Sequence, residues 1–405
     1  MPGRRERLAR QRRAMGMTQE QLAAVVGMGT DRSTVYRWER GEVTPPARKQ
    51  PRLARALGVS STQLIDLLAS QSRRVGGNRS RNGAGGAAQD APSDVVAAQI
   101  PVMRRVLDSR DLPAEGRTRP FDELRVAVLS VLNKRLRSEY AALATEVPPL
   151  LAELYRAASD CPSDQRRQYA RLLVQGYRAA DALADKYGYY DLSARIIELL
   201  QGEASRTEDE LVEASGSYVR GETFFASGDL STGRDMLERA ADRMNVAGSG
   251  TAAATYGTLH MRAAVLAARA GQAVQAREHI EEAQQVAQGV NEGVHLGTVF
   301  GATSVRIHRL SLAVELGDIS AALRAAAGWQ PPTSLPGERR SHFYIDLARA
   351  YHLADRPQQT LDALYTARSI APEHVRSHQQ VHDIVEHMCL TQCGELQDGF
   401  DALRR

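Results

Sequence analysis

Cysteine is nearly absent from this chain of 405 residues: Cys161, Cys389 and Cys393 are the full set. An odd, sparse number in a long chain argues against a disulfide framework and for a reducing compartment. Lysine is as rare, at Lys49, Lys134 and Lys186 only, which leaves little room for lysine–phosphate sites. The other basic residues are arginine, the usage of a GC-rich genome. Aromatics make up 5% of the chain while alanine is abundant, a balance that favours close-packed helices. Alternating β-branched runs are missing, so almost no sheet is expected. No apolar run approaches the span of a bilayer. The first residues, MPGRRERLARQRR, carry charge without an apolar segment, so no signal peptide is expected and the chain reads as cytoplasmic with no membrane partner. Catalytic signatures are lacking too: there is no G-x-S-x-G, no Walker A and no nucleophile paired with a base. The GAGGAA at 83–88 follows no strand and lacks dinucleotide spacing. No enzyme activity and no cofactor are expected.

What is present first is a charge split. The net charge of +4 conceals a basic head, because residues 1–93 carry 17 Lys+Arg against 7 Asp+Glu, and the remainder is net acidic. A basic head on an acidic body suits a polyanion partner for the head alone. Such binding weakens steeply with salt, because each neutralised phosphate releases counterions.

The stretch Thr18–Gly41 says which polyanion. Thr18 with Gln21 three residues on is a capping box, and Leu22, Ala23 and Val26 mark one apolar helical face. Gly27 and Gly29 end that helix, and Asp31 can cap the next. Val35 and Trp38, three apart, face inward, which leaves Arg32, Ser33, Tyr36 and Arg37 outward. A helix of this kind reads base edges in the major groove from its N-terminal residues, and arginine can bond guanine in two places.

Residues 4–69 resemble the Xre/Cro/C1 family of phage-repressor-like helix-turn-helix domains. Arg12, Thr18, Gln19, Leu22, Ala23, the run DRSTVYRWERG from Asp31, Pro45 and LARALGVS from Leu53 carry the likeness. The resemblance implies base reading by Arg32, Ser33 and Arg37 and a phosphate contact from Gln19. Thr18, Tyr36 and Arg40 join Gln19 as phosphate-contacting candidates. It also implies a buried pair between Arg12 and Glu39, with a structural role. The turn Gly27–Thr30 is about two residues longer than is usual in that family.

Around this motif, a first helix is expected over 4–15 with Leu8 and Met15 inward. A fourth should open at Pro45–Pro46 and run to about Leu57, and a fifth, capped by Ser60 or Ser61, should bury Leu64, Leu67 and Leu68. Residues 71–93 lose periodicity and are rich in Gly, Ser and Asn, the composition of a flexible linker spanning roughly 25 Å as a coil.

From Asp94 the chain is helical and repeats. Aligning Gly188, Gly228, Gly271, Gly317 and Asp355 as turn residues gives intervals of 40, 43, 46 and 38. Around them, Gly221, Phe224, Gly233, Leu237 and Ala240 in one unit, Ala264, Ala276, Ile280 and Ala283 in the next, and Ala348, Tyr351, Leu364, Ala367 and Pro372 in the last resemble the tetratricopeptide pattern. The intervals exceed that family's 34 residues. A helical pair over about 121–158 is expected to cap the stack. The expected fold is therefore all-α: a DNA-binding domain over 1–70, a linker over 71–93 and a helical repeat domain over 94–405.

Such stacks carry a groove lined by the first helix of each pair. Those helices hold Arg178, Tyr218, Arg220, His260, Arg306, His308, His342 and Asp346, a mixed-charge set able to hold a peptide terminus, a phosphate or an acidic small molecule. His374, His378 and His382 are spaced four apart near Cys389, but no CxxC or HExxH accompanies them, and no metal is expected.

The whole chain resembles repressor-type regulators, actinobacterial in style, that place a helix-turn-helix before a tetratricopeptide sensor. That resemblance implies a homodimer on a double-stranded DNA operator, with half-sites about one helical turn apart, and an effector in the groove that alters operator affinity. Members that bind peptides use asparagines on the inner helices, and asparagine is scarce here, so a small molecule or a protein partner stays open. The alternative is an adaptor whose repeats dock a protein such as a sigma factor or second regulator, with the head only localising the complex.

Overall fold

The computed structural model describes residues 5–27, 29–46, 49–59, 64, 67–68 and 92–391. Helices α1 (Glu6–Ala14), α2 (Gln19–Val26), α3 (Arg32–Glu39) and α4 (Gln50–Ala56) form the head. Both halves of the capping box close on α2: the Gln21 N–H donates to Thr18 Oγ1 at 3.1 Å and the Thr18 N–H to Gln21 Oε1 at 2.8 Å. Asp31 caps α3 by accepting from the Thr34 N–H at 2.7 Å. Leu8, Leu22, Val26, Val35, Trp38, Leu53, Leu57 and Leu64 close one core.

Two expectations for the head are corrected. Met15 is exposed rather than inward. Leu67 is only half-buried, although Leu64 and Leu68 are buried. The fourth α-helix is described from Gln50, with Pro51 in its first turn. A tighter turn, in which the Lys49 N–H donates to the Pro46 carbonyl at 2.8 Å, leads into it from the prolines. The Arg5 guanidinium donates to the Val43 carbonyl at 3.0 Å and to Thr44 Oγ1 at 2.8 Å, tying the start of α1 to the segment after α3. The cap at Ser60 or Ser61 lies outside the described residues, as does the expected linker except for its last two positions, which are helical.

Behind the head the fold is all-α hairpins. Helix α5 (Pro92–Asp108) precedes six helix pairs: α6 (Phe121–Leu136) with α7 (Tyr140–Asp160), α8 (Arg166–Lys186) with α9 (Tyr190–Arg206), α10 (Glu210–Ser227) with α11 (Leu230–Asp242), α12 (Gly250–Arg269) with α13 (Ala273–Ala287), α14 (Ala302–Glu315) with α15 (Ile319–Ala326), and α16 (Gly337–Leu353) with α17 (Pro357–Ile370). Helices α18 (Pro372–Ser377) and α19 (Gln379–Thr391) follow. The turn residues Gly188, Gly228, Gly271, Gly317 and Asp355 all have left-handed backbone, with φ of 78°, 81°, 77°, 74° and 61°. That conformation ends one helix and reverses the chain into the next. Ser138, at φ 61°, does the same between α6 and α7, so the repeat begins one unit earlier than the glycines mark it. Close approach within a pair is visible at Gly233, where an added Cβ would stand 2.6 Å from Phe224 Cβ.

The pair α6–α7 does not cap an open end. Leu136 packs with Ile307, Leu310, Val314, Phe343 and Leu353 from the last two pairs. The Ala141 N–H donates to Glu373 Oε2 at 2.8 Å, and α6 touches α16. The two ends of the stack therefore meet.

Among the described residues the strands are β1 (Gly293–His295) and β2 (Thr298–Phe300), an antiparallel hairpin pairing Gly293 with Phe300 and His295 with Thr298. Its turn, Leu296–Gly297, has φ of 46° and 78°, positive at both positions as a tight two-residue hairpin requires. The tip points among the first helices. Arg178 and Ser215 donate to the Leu296 carbonyl, and Arg135 to that of Gly297. Phe300 is fully buried against Gly257, where an added Cβ would overlap the ring.

That overlap yields a test. Gly257→Ala is predicted to destabilise the body by at least about 1–3 kcal/mol, the usual cost of overpacking, read as a lowered melting temperature. Adding Phe300→Leu should recover part of the loss. An unchanged melting curve for Gly257→Ala would contradict the seating of the hairpin.

Candidate nucleic-acid interface

The outer face of α3 is assembled by its spacing. Residues 32, 33, 36, 37 and 40 share one side of the helix, and Arg32, Ser33, Tyr36, Arg37 and Arg40 are all exposed there. Ser33 Oγ donates to Asp31 Oδ1 at 2.9 Å, so the cap also orients this hydroxyl. The Asp31 carboxyl is held down at about 2 by the Thr34 and Ser33 hydrogen bonds, and stays ionised beside the first turn of α3. Arg40 donates to Tyr36 Oη at 3.1 Å, lies over the Tyr36 ring and pairs with Glu42 at 2.9 Å. Arg32 and Arg37 have no side-chain partner among the described residues, and both guanidinium forks are open to a ligand. Thr18 is exposed at the N-terminus of α2 and Gln19 is half-buried beside it.

One carboxylate fixes where this face points. Glu39, at the end of α3, accepts from Arg12 Nε of α1 at 2.7 Å and from Gln19 Nε2 of α2 at 2.6 Å. Arg12 Nη1 also donates to the Met17 carbonyl at 2.6 Å. The pair is largely buried, with side-chain exposures of 11% and 8%. Gln19 thus has a partner inside the head. An amide nitrogen carries two hydrogens, and this contact uses one of them.

The expected groove residues separate into two sets. Arg178, Tyr218, His308, His342 and Asp346 fall on one polar layer shared by the first helices. Arg262 lies over the Tyr218 ring at 4.1 Å and donates to Glu222 at 3.1 Å, while Arg339 Nη1 stands 3.5 Å from His308 Nε2. Asp346 is committed, accepting from Ser311 and from Arg349 Nη1 at 2.8 Å. Arg178 is buried against Leu296 and Thr298, and burial drags its guanidinium down to about 9. Burial would raise the Tyr218 phenol, but Arg262, Arg339 and Arg178 outweigh it and bring the group to about 8. Arg220, His260 and Arg306 do not join. Arg220 is exposed over Phe224, Arg306 is exposed over Trp329, and His260 meets His279 of the paired helix at 3.1 Å. Sequence reasoning missed Arg135, Glu338 and Arg339. The signal for Arg135 was the turn at Ser138, hidden because it is not a glycine.

A family model described as Helix-turn-helix matches residues 8–64. No curated protein and no solved structure matches the chain. An Xre/Cro/C1-type helix-turn-helix therefore stands at the N-terminus, followed by a helical region, and it supports a DNA-binding transcription regulator. The match includes none of the helical hairpins, so their tetratricopeptide likeness rests on residue pattern and turn geometry.

Two predictions follow from these networks. Glu39→Ala leaves Arg12 buried and unpaired and should destabilise the head by about 3–5 kcal/mol. Denaturation followed by Trp38 fluorescence in a Trp329→Phe background measures it, and an unmoved midpoint would refute the role of the pair. For Tyr218 the folded phenol is more acidic than its ordinary value of 10. Its phenolate should appear in the ultraviolet with a midpoint near pH 8 and vanish in Tyr218→Phe. The lowered value favours the folded state increasingly as pH rises from 8 towards 10, and that gain is lost as pH falls through 8.

Proposed function

We propose that the protein is a sequence-specific transcription regulator that reads double-stranded DNA with α3, under the control of an effector acting on the hairpin stack. The observation that carries this reading is the pair of unpartnered guanidinium groups, Arg32 and Arg37, on the exposed face of a capped helix within a basic helix-turn-helix. Arg32, Ser33 and Arg37 read base edges. Thr18, Gln19, Tyr36 and Arg40 hold phosphates and set the register. A homodimer would place two heads on a two-fold operator, as in the family that the chain resembles. The effector is a peptide or small molecule that binds the polar layer around Arg178, Tyr218 and His308 and shifts the population of heads spaced for the operator.

A second reading has an observation of its own. Arg178 already holds the hairpin backbone, and Asp346 is engaged by Arg349 and Ser311. Inner side chains satisfied within the chain favour an adaptor that docks a protein on another face. Stabilisation by a compact ligand in a thermal-shift screen supports the regulator with an effector; co-purification of a protein, without such stabilisation, supports the adaptor.

The base-reading assignment is tested by Arg37→Ala. It should cost about 1–3 kcal/mol on the preferred site and relax selectivity at one base position. Gln19→Ala should weaken all sequences alike. Unchanged selectivity in the first, or a loss confined to one base position in the second, would contradict the roles given.

A further inference from the structure

Beyond the DNA-binding head, the residues least explained are histidines. His342 of α16, His374 of α18 and His378 just after it each offer a ring nitrogen, and the three nitrogens lie within 4.8 Å of one another. Two of the three rings carry a buried nitrogen without a hydrogen-bond partner, Nε2 of His374 and Nδ1 of His378. A buried polar atom left unsatisfied is costly, and a cluster of them needs an explanation.

Hydrogen bonding favours one tautomer. Ser341 Oγ stands 3.0 Å from the Glu338 carbonyl and 2.6 Å from His374 Nδ1. A carbonyl can only accept, so the arrangement that satisfies both contacts gives the serine proton to Glu338 and has Ser341 accept from His374 Nδ1–H. The lone pair of His374 is then on Nε2, the unpartnered nitrogen. His342 Nε2 lies 3.4 Å from Asp346 Oδ2, the carboxylate–imidazole pairing that orients histidine ligands in metal sites. All three imidazoles are held neutral: burial lowers His374 to about 3 and also lowers His342 and His378. Neutral imidazole is the form that ligates.

We propose that His342, His374 and His378 form a three-histidine site for a borderline divalent transition metal of the zinc class, with a fourth position open to water or an anion. The imidazole set suits zinc, cobalt and nickel and excludes calcium and magnesium, which take oxygen ligands. Metal–nitrogen bonds of about 2.0–2.1 Å in tetrahedral geometry bring ligand nitrogens to roughly 3.4 Å apart, so nitrogens already within 4.8 Å of one another need only a small closure on binding. The surroundings are mixed. Lys186, Arg339 and Arg349 oppose a cation, while Asp346 and Glu338 favour it. The excess of positive charge suits an anionic fourth ligand. His382 takes no part, since its Nε2 lies 2.6 Å from the Arg376 carbonyl. The spacing of four along the sequence therefore pointed to two of the ligands and to a wrong third.

The test uses the full chain, stripped with chelator and titrated with Co(II), whose d–d bands report ligand geometry, and with Zn(II) by calorimetry. The proposal expects one metal per chain, tetrahedral cobalt bands and a raised melting temperature with Zn(II). His342→Ala, at a half-exposed ring, should fold and weaken binding at least tenfold, and His374→Ala should abolish it. His382→Ala, His279→Ala and Cys389→Ser with Cys393→Ser should bind as the parent does. Absence of binding, retention of full affinity in a folded His342→Ala, or loss in any of the three control variants would overturn it. DNA binding is not part of the readout, so failure here leaves the head's role untouched.

Discussion

A single carboxylate ties the first three helices of the head together. Glu39 lies at the end of α3, and it accepts from Arg12 on α1 and Gln19 on α2. Three helices are thereby referenced to one group. The apolar core around Trp38 and Leu22 supplies the bulk of the packing, but packing of that kind is not directional. The ion pair and its amide partner are. This matters because five residues, Gly27 to Asp31, separate α2 from α3. The turn does not hold α2 and α3 by brevity, so their mutual orientation depends more heavily on Glu39.

The body obeys a different constraint. A helix pair cannot bury its apolar face alone, and each pair here is covered by the next. Because Leu136 enters the core formed by the last pairs, the stack is closed, and the first helices gather their polar residues on one layer. That layer concentrates arginine. Tyr218 shows the consequence, since three guanidinium groups overcome the burial that would otherwise raise its phenol. The β-hairpin tip is drawn into the same field: its carbonyl oxygens are acceptors, and Arg178 and Arg135 donate to them.

Much of this was legible in the residues, for reasons that can be named. Capping by Thr18 and Asp31 depends on neighbours three residues away, so it is written locally. Burial of Val35 and Trp38 follows from helical period. The turn residues Gly188 to Asp355 were legible because left-handed backbone selects glycine, or a short polar side chain. Ser138 used the same conformation without the glycine and was missed, and with it the closure of the ring. Arg220, His260 and Arg306 were placed with the groove because position on a first helix was known and rotation about the helix axis was not. The hairpin at 293–300 was invisible for a related reason. Its strands are three residues long, too short for alternation to register, and Phe300 is held by a gap at Gly257 some forty residues earlier. The third member of the histidine cluster comes from another helix, and no spacing in sequence announces it.

The central claim is that the basic head discriminates among nucleobases rather than merely adhering to a polyanion. The most direct measurement is selection of bound duplexes from a random pool by the intact protein at moderate ionic strength, where non-specific phosphate attraction is weakened. Enrichment of one motif, arranged as two related half-sites about one helical turn apart, is the predicted result. A pool that emerges with no enriched sequence, although the folded protein still retains DNA at low salt, would contradict the account.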